Sequence, residues 1–279
     1  MLDWLLAPLS YDFMLRGIAA GVLVGIVCAV IGAYVVLRGM AFFGDALAHT
    51  VLPGVALGYI ISGGERGVLF WWALGTAILA SLGIGAISKN ARIKEDTAIG
   101  IIFAGMFSLG IAVISTVRSY AVDLSHFLFG DVLGVTNRDL ILTAVFGGIV
   151  LLLVLIFYKE FLTLSFDPVL AATLRMPVNL LNNLLLAMIA VTVAVSMQTV
   201  GVALMVAMLV TPAATAYLLT RRLWTMMALA AVIGAASSVV GLYFSYYLNI
   251  ASGAAIVLTA TAVFVIVFLV NPRQGVLRR

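Results

Sequence analysis

Residues 38–59 read RGMAFFGDALAHTVLPGVALGY. A carboxylate, Asp45, stands four residues before a histidine, His49, in a run that is otherwise apolar. A charged group at bilayer depth costs at least ~2.5–3.5 kcal/mol, so it faces a cavity or a partner in preference to lipid. The spacing predicts a helix with both side chains on one face, one turn apart. Pro53 has no N–H to offer the carbonyl four residues back, that of His49, so a kink with a freed acceptor is expected there. Carboxylate and imidazole form a donor set suited to Mn, Fe or Zn. The pair also reads as a structural unit, with the carboxylate fixing the imidazole tautomer. Lipid surroundings weigh against polarity kept for structure alone.

The composition around this stretch points the same way. The 279 residues are 65% hydrophobic and 9% charged, with a mean hydropathy of +1.25. Soluble domains carry about 25% charge, so a soluble globular fold is excluded. At about 20 residues per span, roughly eight to nine transmembrane helices fit, and little chain is left over. The expectation is an all-α polytopic membrane protein, with residues 1–279 forming a single transmembrane domain. Any ATP-driven or enzymatic step then belongs to another chain. A single cysteine, Cys28, excludes an intrachain disulfide. The net charge of +4 is too small to suggest a nucleic-acid partner. Residues 1–16 read as an interfacial lead-in rather than a cleavable signal, because Asp3, Pro8 and Asp12 stand where a basic n-region would be.

Apolar runs place spans at about 17–37, 38–61, 67–87, 97–117, 140–157, 178–195, 200–220, 226–248 and 251–270. That gives nine with the N-terminus outside, or eight if one of the first two is re-entrant. Gly17, Gly21 and Gly25 make a small-residue face for close helix approach, and Gly100, Gly105 and Gly110 suggest the same for the fourth span. Residues 118–138 are too polar for a span and read as a short helix or re-entrant piece. The Lys and Arg of 89–94, 159–175, 221–222 and the C-terminus mark those segments as cytoplasmic. Within the connector 159–177, Asp167 at an N-cap and Pro168 after it predict a short helix that Pro177 brings to an end. Between two spans this is either a docking element or an ordinary surface turn.

Both histidines of the chain neighbour carboxylates, Asp45/His49 and Asp123/His126. Four donors from two segments make one divalent-metal site if the segments meet; otherwise Asp123 and His126 belong to an outer loop with a helix cap. No GxxxxGK[ST], HExxH or GxSxG pattern occurs. Met197, Met205, Met208, Met226 and Met227 read as packing rather than a copper path, and Pro212 predicts a kink.

Four stretches taken together carry a resemblance: RGMAFFGDALAHTVLPGVALGY, SHFLFGDVLGV (125–135), SFDP (165–168) and LVTPAATAYLL (209–219). They resemble the permease subunits of zinc/manganese/iron-type ABC importers, and the similarity runs from about Gly17 to Val270. The resemblance implies a fold related to the vitamin B12-type importer permeases. It also implies a second permease copy (most simply a homodimer), a cytoplasmic ABC ATPase, an extracytoplasmic metal-binding protein and a prokaryotic cytoplasmic membrane. By resemblance Asp45 and His49 match the metal-path positions, as do Asp123 and His126, and Ser165, Asp167, Pro168 and Arg175 belong to the segment that couples to the ATPase. Arg175-Met176-Pro177 departs from the family pattern, in which a glycine is expected near that point. No permanently bound cofactor is expected. The transported ion is Mn, Zn or Fe, with a lean to manganese because half the donors are carboxylates. The alternatives are an intramembrane metalloenzyme and a proton-coupled carrier without an ATPase. The acidic residues remaining outside the four donors lie mainly in loops, which leaves no obvious acid or base beside a catalytic metal.

Overall fold

In lipid, backbone N–H and C=O groups find no water, and helices satisfy them within one segment. The computed structural model describes residues 7–63, 65–91, 93–116 and 132–270, and among these the regular structure is helical. In order come α1 (Asp12–Leu37), α2 (Phe43–Thr50), α3 (Leu52–Ser62), α4 (Arg66–Ala91), α5 (Glu95–Ser115) and α6 (Asn137–Ile156). They are followed by α7 (Tyr158–Phe166), α8 (Pro168–Thr173), α9 (Val178–Val200), α10 (Val202–Leu219), α11 (Leu223–Leu248) and α12 (Ser252–Val270). With α2 and α3 taken as one, nine of the described helices are long and apolar enough to cross a membrane. The nine-span reading holds. Its first boundary moves, because α1 begins at Asp12, whose carboxylate in the first turn favours a helix start.

The most buried spans are α1, α2–α3 and α9, and the most exposed are α5, α6 and α12. α1 packs against α10 and α11, while α9 packs against α4, α6 and α1. The glycine face read from the sequence carries the first of these contacts. Gly21 leaves room for Ser238, whose hydroxyl donates to the Gly21 carbonyl at 2.9 Å. A Cβ on Gly25 would lie 2.9 Å from the carbonyl carbon of Gly234, and one on Gly32 would overlap the Leu209 carbonyl. The fourth span differs from its expectation: Gly110 packs on Leu52 and Pro53, but Gly100 and Gly105 face open space. Of the three glycines, only Gly110, where α5 meets the start of α3, makes a close approach. Gly32→Ala is expected to reduce assembled protein in the membrane several-fold, and Gly100→Ala to leave it unchanged. Quantifying the folded fraction by fluorescence-detected size exclusion checks both.

The α2–α3 span departs from the single kinked helix expected around Pro53. Val51 separates two helices, and Pro53 occupies the second position of α3, where a missing N–H removes no helical bond. The His49 carbonyl is not left free, because it accepts the N–H of Val51. Gly39, at φ 70°, makes the turn out of α1, and α2 then packs against α5, α9, α4 and α10.

Candidate metal-path site and coupling segment

α2 is only 8 residues long, and its position is set by the face it buries. Phe43, Gly44, Ala46, Leu47 and Thr50 are all buried, with Gly44 against the Leu209 side chain. Helical periodicity then leaves Asp45 and His49 on the other face. Their side chains are 37% and 29% exposed, partly open in a span whose other residues are mostly covered.

His49 Nε2 lies 3.7 Å from Asp45 Oδ1. A hydrogen bond between them would draw the atoms to roughly 2.7–3.2 Å. Two donors at ~2.0–2.2 Å from one cation stand roughly 3–3.6 Å apart. The 3.7 Å gap is too long for that hydrogen bond and lies just beyond the range for two donors on one ion. The other ring nitrogen, Nδ1, is buried and has no hydrogen-bond partner among the described residues. The imidazole is held instead by rings: Phe103 and Phe107 of α5 meet it edge-on, with centroids 5.9 and 5.6 Å away. Among the described residues no group of three or more His, Cys, Asp or Glu side chains could hold a metal. Asp123 and His126 lie outside the described residues, so the structure brings together Asp45 and His49 alone.

Sequence reading missed what fixes the surroundings of this pair. Arg38, just past the end of α1, sends one guanidinium nitrogen to both Glu95 Oε1 (3.2 Å) and Asn182 Oδ1, tying α1, α5 and α9 together at the start of the turn into α2. Burial pulls the Arg38 pKa down and Glu95 opposes that. The charge pattern of the sequence holds the residues but not the pairing, because Arg38 and Glu95 are 57 positions apart.

The SFDP segment forms as expected. Asp167 caps α8, accepting N–H bonds from Val169 (3.0 Å) and Leu170 (2.9 Å) through Oδ1, with Pro168 as the first helical residue. The C-terminal end explains the missing glycine. Arg175 N–H bonds the Ala172 carbonyl and Met176 N–H the Ala171 carbonyl, the pairing of a Schellman turn. Arg175 itself occupies the left-handed position at φ 57°, where glycine is the usual choice. The backbone path is that of the glycine-ended helix, reached with some strain at Arg175. Ser165 Oγ, at the end of α7, is buried without a partner among the described residues. Phe166, Val169, Leu170 and Leu174 are exposed, an apolar surface on a connector that lies between two spans.

The chain matches the family model described as ABC 3 transport family over residues 10–271. It is 46% identical to the manganese transport system membrane protein MntC of Halalkalibacterium halodurans, covering 97% of this chain and 91% of that protein. It is 42% identical to the manganese import system permease protein ScaB of Streptococcus gordonii, covering 97% and 95%. Among solved structures, a chain of the PsaBC complex of Streptococcus pneumoniae bound to a Fab superposes with a TM-score of 0.83 at 41% identity, covering 98% and 97%. An inward-facing metal-chelate type ABC transporter matches at a TM-score of 0.67 and 17% identity, covering 91% and 85%, which speaks to fold alone. These relatives are transport subunits, so ATP hydrolysis falls to a partner chain and this chain is not itself an enzyme. Matched along almost its whole length, with nine spans arranged as in a solved relative, the chain belongs to the ABC 3 transport family and is a transmembrane permease subunit of an ABC transporter.

Proposed function

We propose that this permease imports a divalent transition metal, manganese foremost, across a prokaryotic cytoplasmic membrane, and that Asp45 and His49 coordinate the ion in passage. The observation that carries the reading is the 3.7 Å pair on the partly open face of α2. One carboxylate and one neutral imidazole make a mixed donor set suited to Mn, Fe or Zn. A second copy of the chain facing the first across a two-fold axis doubles the set to two carboxylates and two imidazoles. Manganese is favoured because the MntC and ScaB relatives are named for it.

An extracytoplasmic binding protein delivers the ion, and a cytoplasmic ATPase docks on the apolar surface of α8, so that Asp167 and its helix transmit the stroke. The basic segments 89–94, 159–175 and 221–222 face that ATPase from the cytoplasm. Growth and uptake of a deletion strain with Mn, Zn or Fe(II) as the limiting metal tests the substrate. Manganese restores growth only with this gene present; a defect relieved by zinc or iron and untouched by manganese overturns the manganese assignment.

A further inference from the structure

His49 is held in an unusual way for a group that binds a cation. A metal-binding imidazole ordinarily donates its second N–H to a carboxylate, a carbonyl or water, and that bond fixes the ring and strengthens the ligand. Here Nδ1 is buried and has no such partner among the described residues, while Nε2 is the nitrogen turned to Asp45. The ring is not loose, however. Phe103 and Phe107 stand one helical turn apart on α5 and stack on each other at 5.7 Å and 20°. Both present themselves to the imidazole at steep angles, 64° and 82°. Phe42, in the turn before α2, meets Phe103 edge-on at 5.7 Å and closes the row. Edge-to-face ring contacts have preferred geometries and add to the plain burial of area.

We propose that Phe103 and Phe107 are positioning residues for the translocated ion: they aim His49 Nε2 at the Asp45 side by ring packing alone, in place of the hydrogen bond that a resident metal site uses. The inference rests on the reading of His49 as a ligand. The chemistry that follows is specific. Without an acceptor on Nδ1 the imidazole is a weaker donor to the cation, and without the rings it would rotate freely and lose its aim. The pair therefore sets an affinity high enough to select the ion from the path and low enough to release it. Because both rings ride on α5, whose first residue Glu95 is tied to Arg38 beside the start of α2, the aim of His49 depends on α5 keeping its place against α2.

The test is a double-mutant cycle on the assembled permease–ATPase complex, using Mn²⁺ itself as the probe in equilibrium binding and in transport. Phe103→Ala and Phe107→Ala together are expected to weaken Mn²⁺ binding about tenfold, the lower end of the loss seen when support of a metal-binding histidine is removed. The apparent KM for Mn²⁺ should rise by the same factor while kcat holds. Phe→Tyr at either position keeps the ring edge and should restore affinity to within about twofold. In a His49→Ala background the two alanines should have no further effect, since there is no ring to aim. If the alanine pair does not assemble, Phe103→Leu/Phe107→Leu keeps bulk without the ring and enters the same cycle. Unchanged Mn²⁺ affinity in the phenylalanine variants, or an equal loss in the His49→Ala background, overturns the positioning role. An affinity indifferent to His49→Ala itself overturns instead the ligand reading beneath it.

Discussion

Asp45→Asn and His49→Ala are each expected to reduce metal uptake per assembled complex by more than about tenfold, with the double variant little worse than either single. The isosteric Asn keeps the shape of the side chain and removes the charge that compensates a divalent ion, and Ala removes the nitrogen donor. Residues acting on one ion are not additive, because the first loss already disables the unit. Near-additive losses would place the two side chains on separate steps. A structural pair behaves differently again: it loses assembled protein in proportion to lost uptake. Normalising uptake to complex recovered from the membrane separates the outcomes. Partial exposure of both side chains supports the first, since neither is packed tightly enough for its removal to open a sealed cavity.

Replacing Asp167 and Pro168 together by Gly is expected to uncouple the transporter, with ATP hydrolysis continuing while uptake falls to background. α8 has 6 residues, too few to hold a helix by propensity. Its integrity depends on the two N–H bonds to the Asp167 carboxylate, worth roughly 0.5–2 kcal/mol, and on the fixed φ of Pro168. Loss of both lets the apolar surface of Val169, Leu170 and Leu174 change shape without disturbing the membrane-embedded core. Protein level and association of two copies should stay near normal. Hydrolysis that still rises and falls with transport in the double variant would count against a coupling role.

The two predictions draw on different parts of the sequence. The Asp45/His49 face was legible because helical spacing fixes which side chains share a side, and α2 obeys it. The Asp167 cap was legible because capping is local chemistry, settled within three residues. The glycine row on α1 was legible for a similar reason: lipid offers few other uses for a four-residue glycine repeat. What failed was whatever depended on a distant partner. Gly100 and Gly105 looked identical to Gly110 on paper, yet only Gly110 meets another helix. At Val51 the sequence suggests a kink in place of a break, because nothing local says whether Pro53 sits inside a helix or begins one. Phe103 and Phe107 share a helix face in the sequence, but the sequence does not say that this face meets His49. The link from Arg38 to Glu95 and Asn182 is invisible for the same reason.

The central claim, that His49 binds the ion, is tested most directly by the nitrogen signal of Mn²⁺ itself. The chain has two histidines, so an imidazole nitrogen on the ion traces to very few atoms. Electron spin-echo modulation of Mn²⁺ bound to the purified permease, prepared without the binding protein and with the ATPase attached, should show coupling to an imidazole nitrogen. That coupling should persist in His126→Ala and vanish in His49→Ala. A nitrogen signal unchanged by His49→Ala would contradict the account.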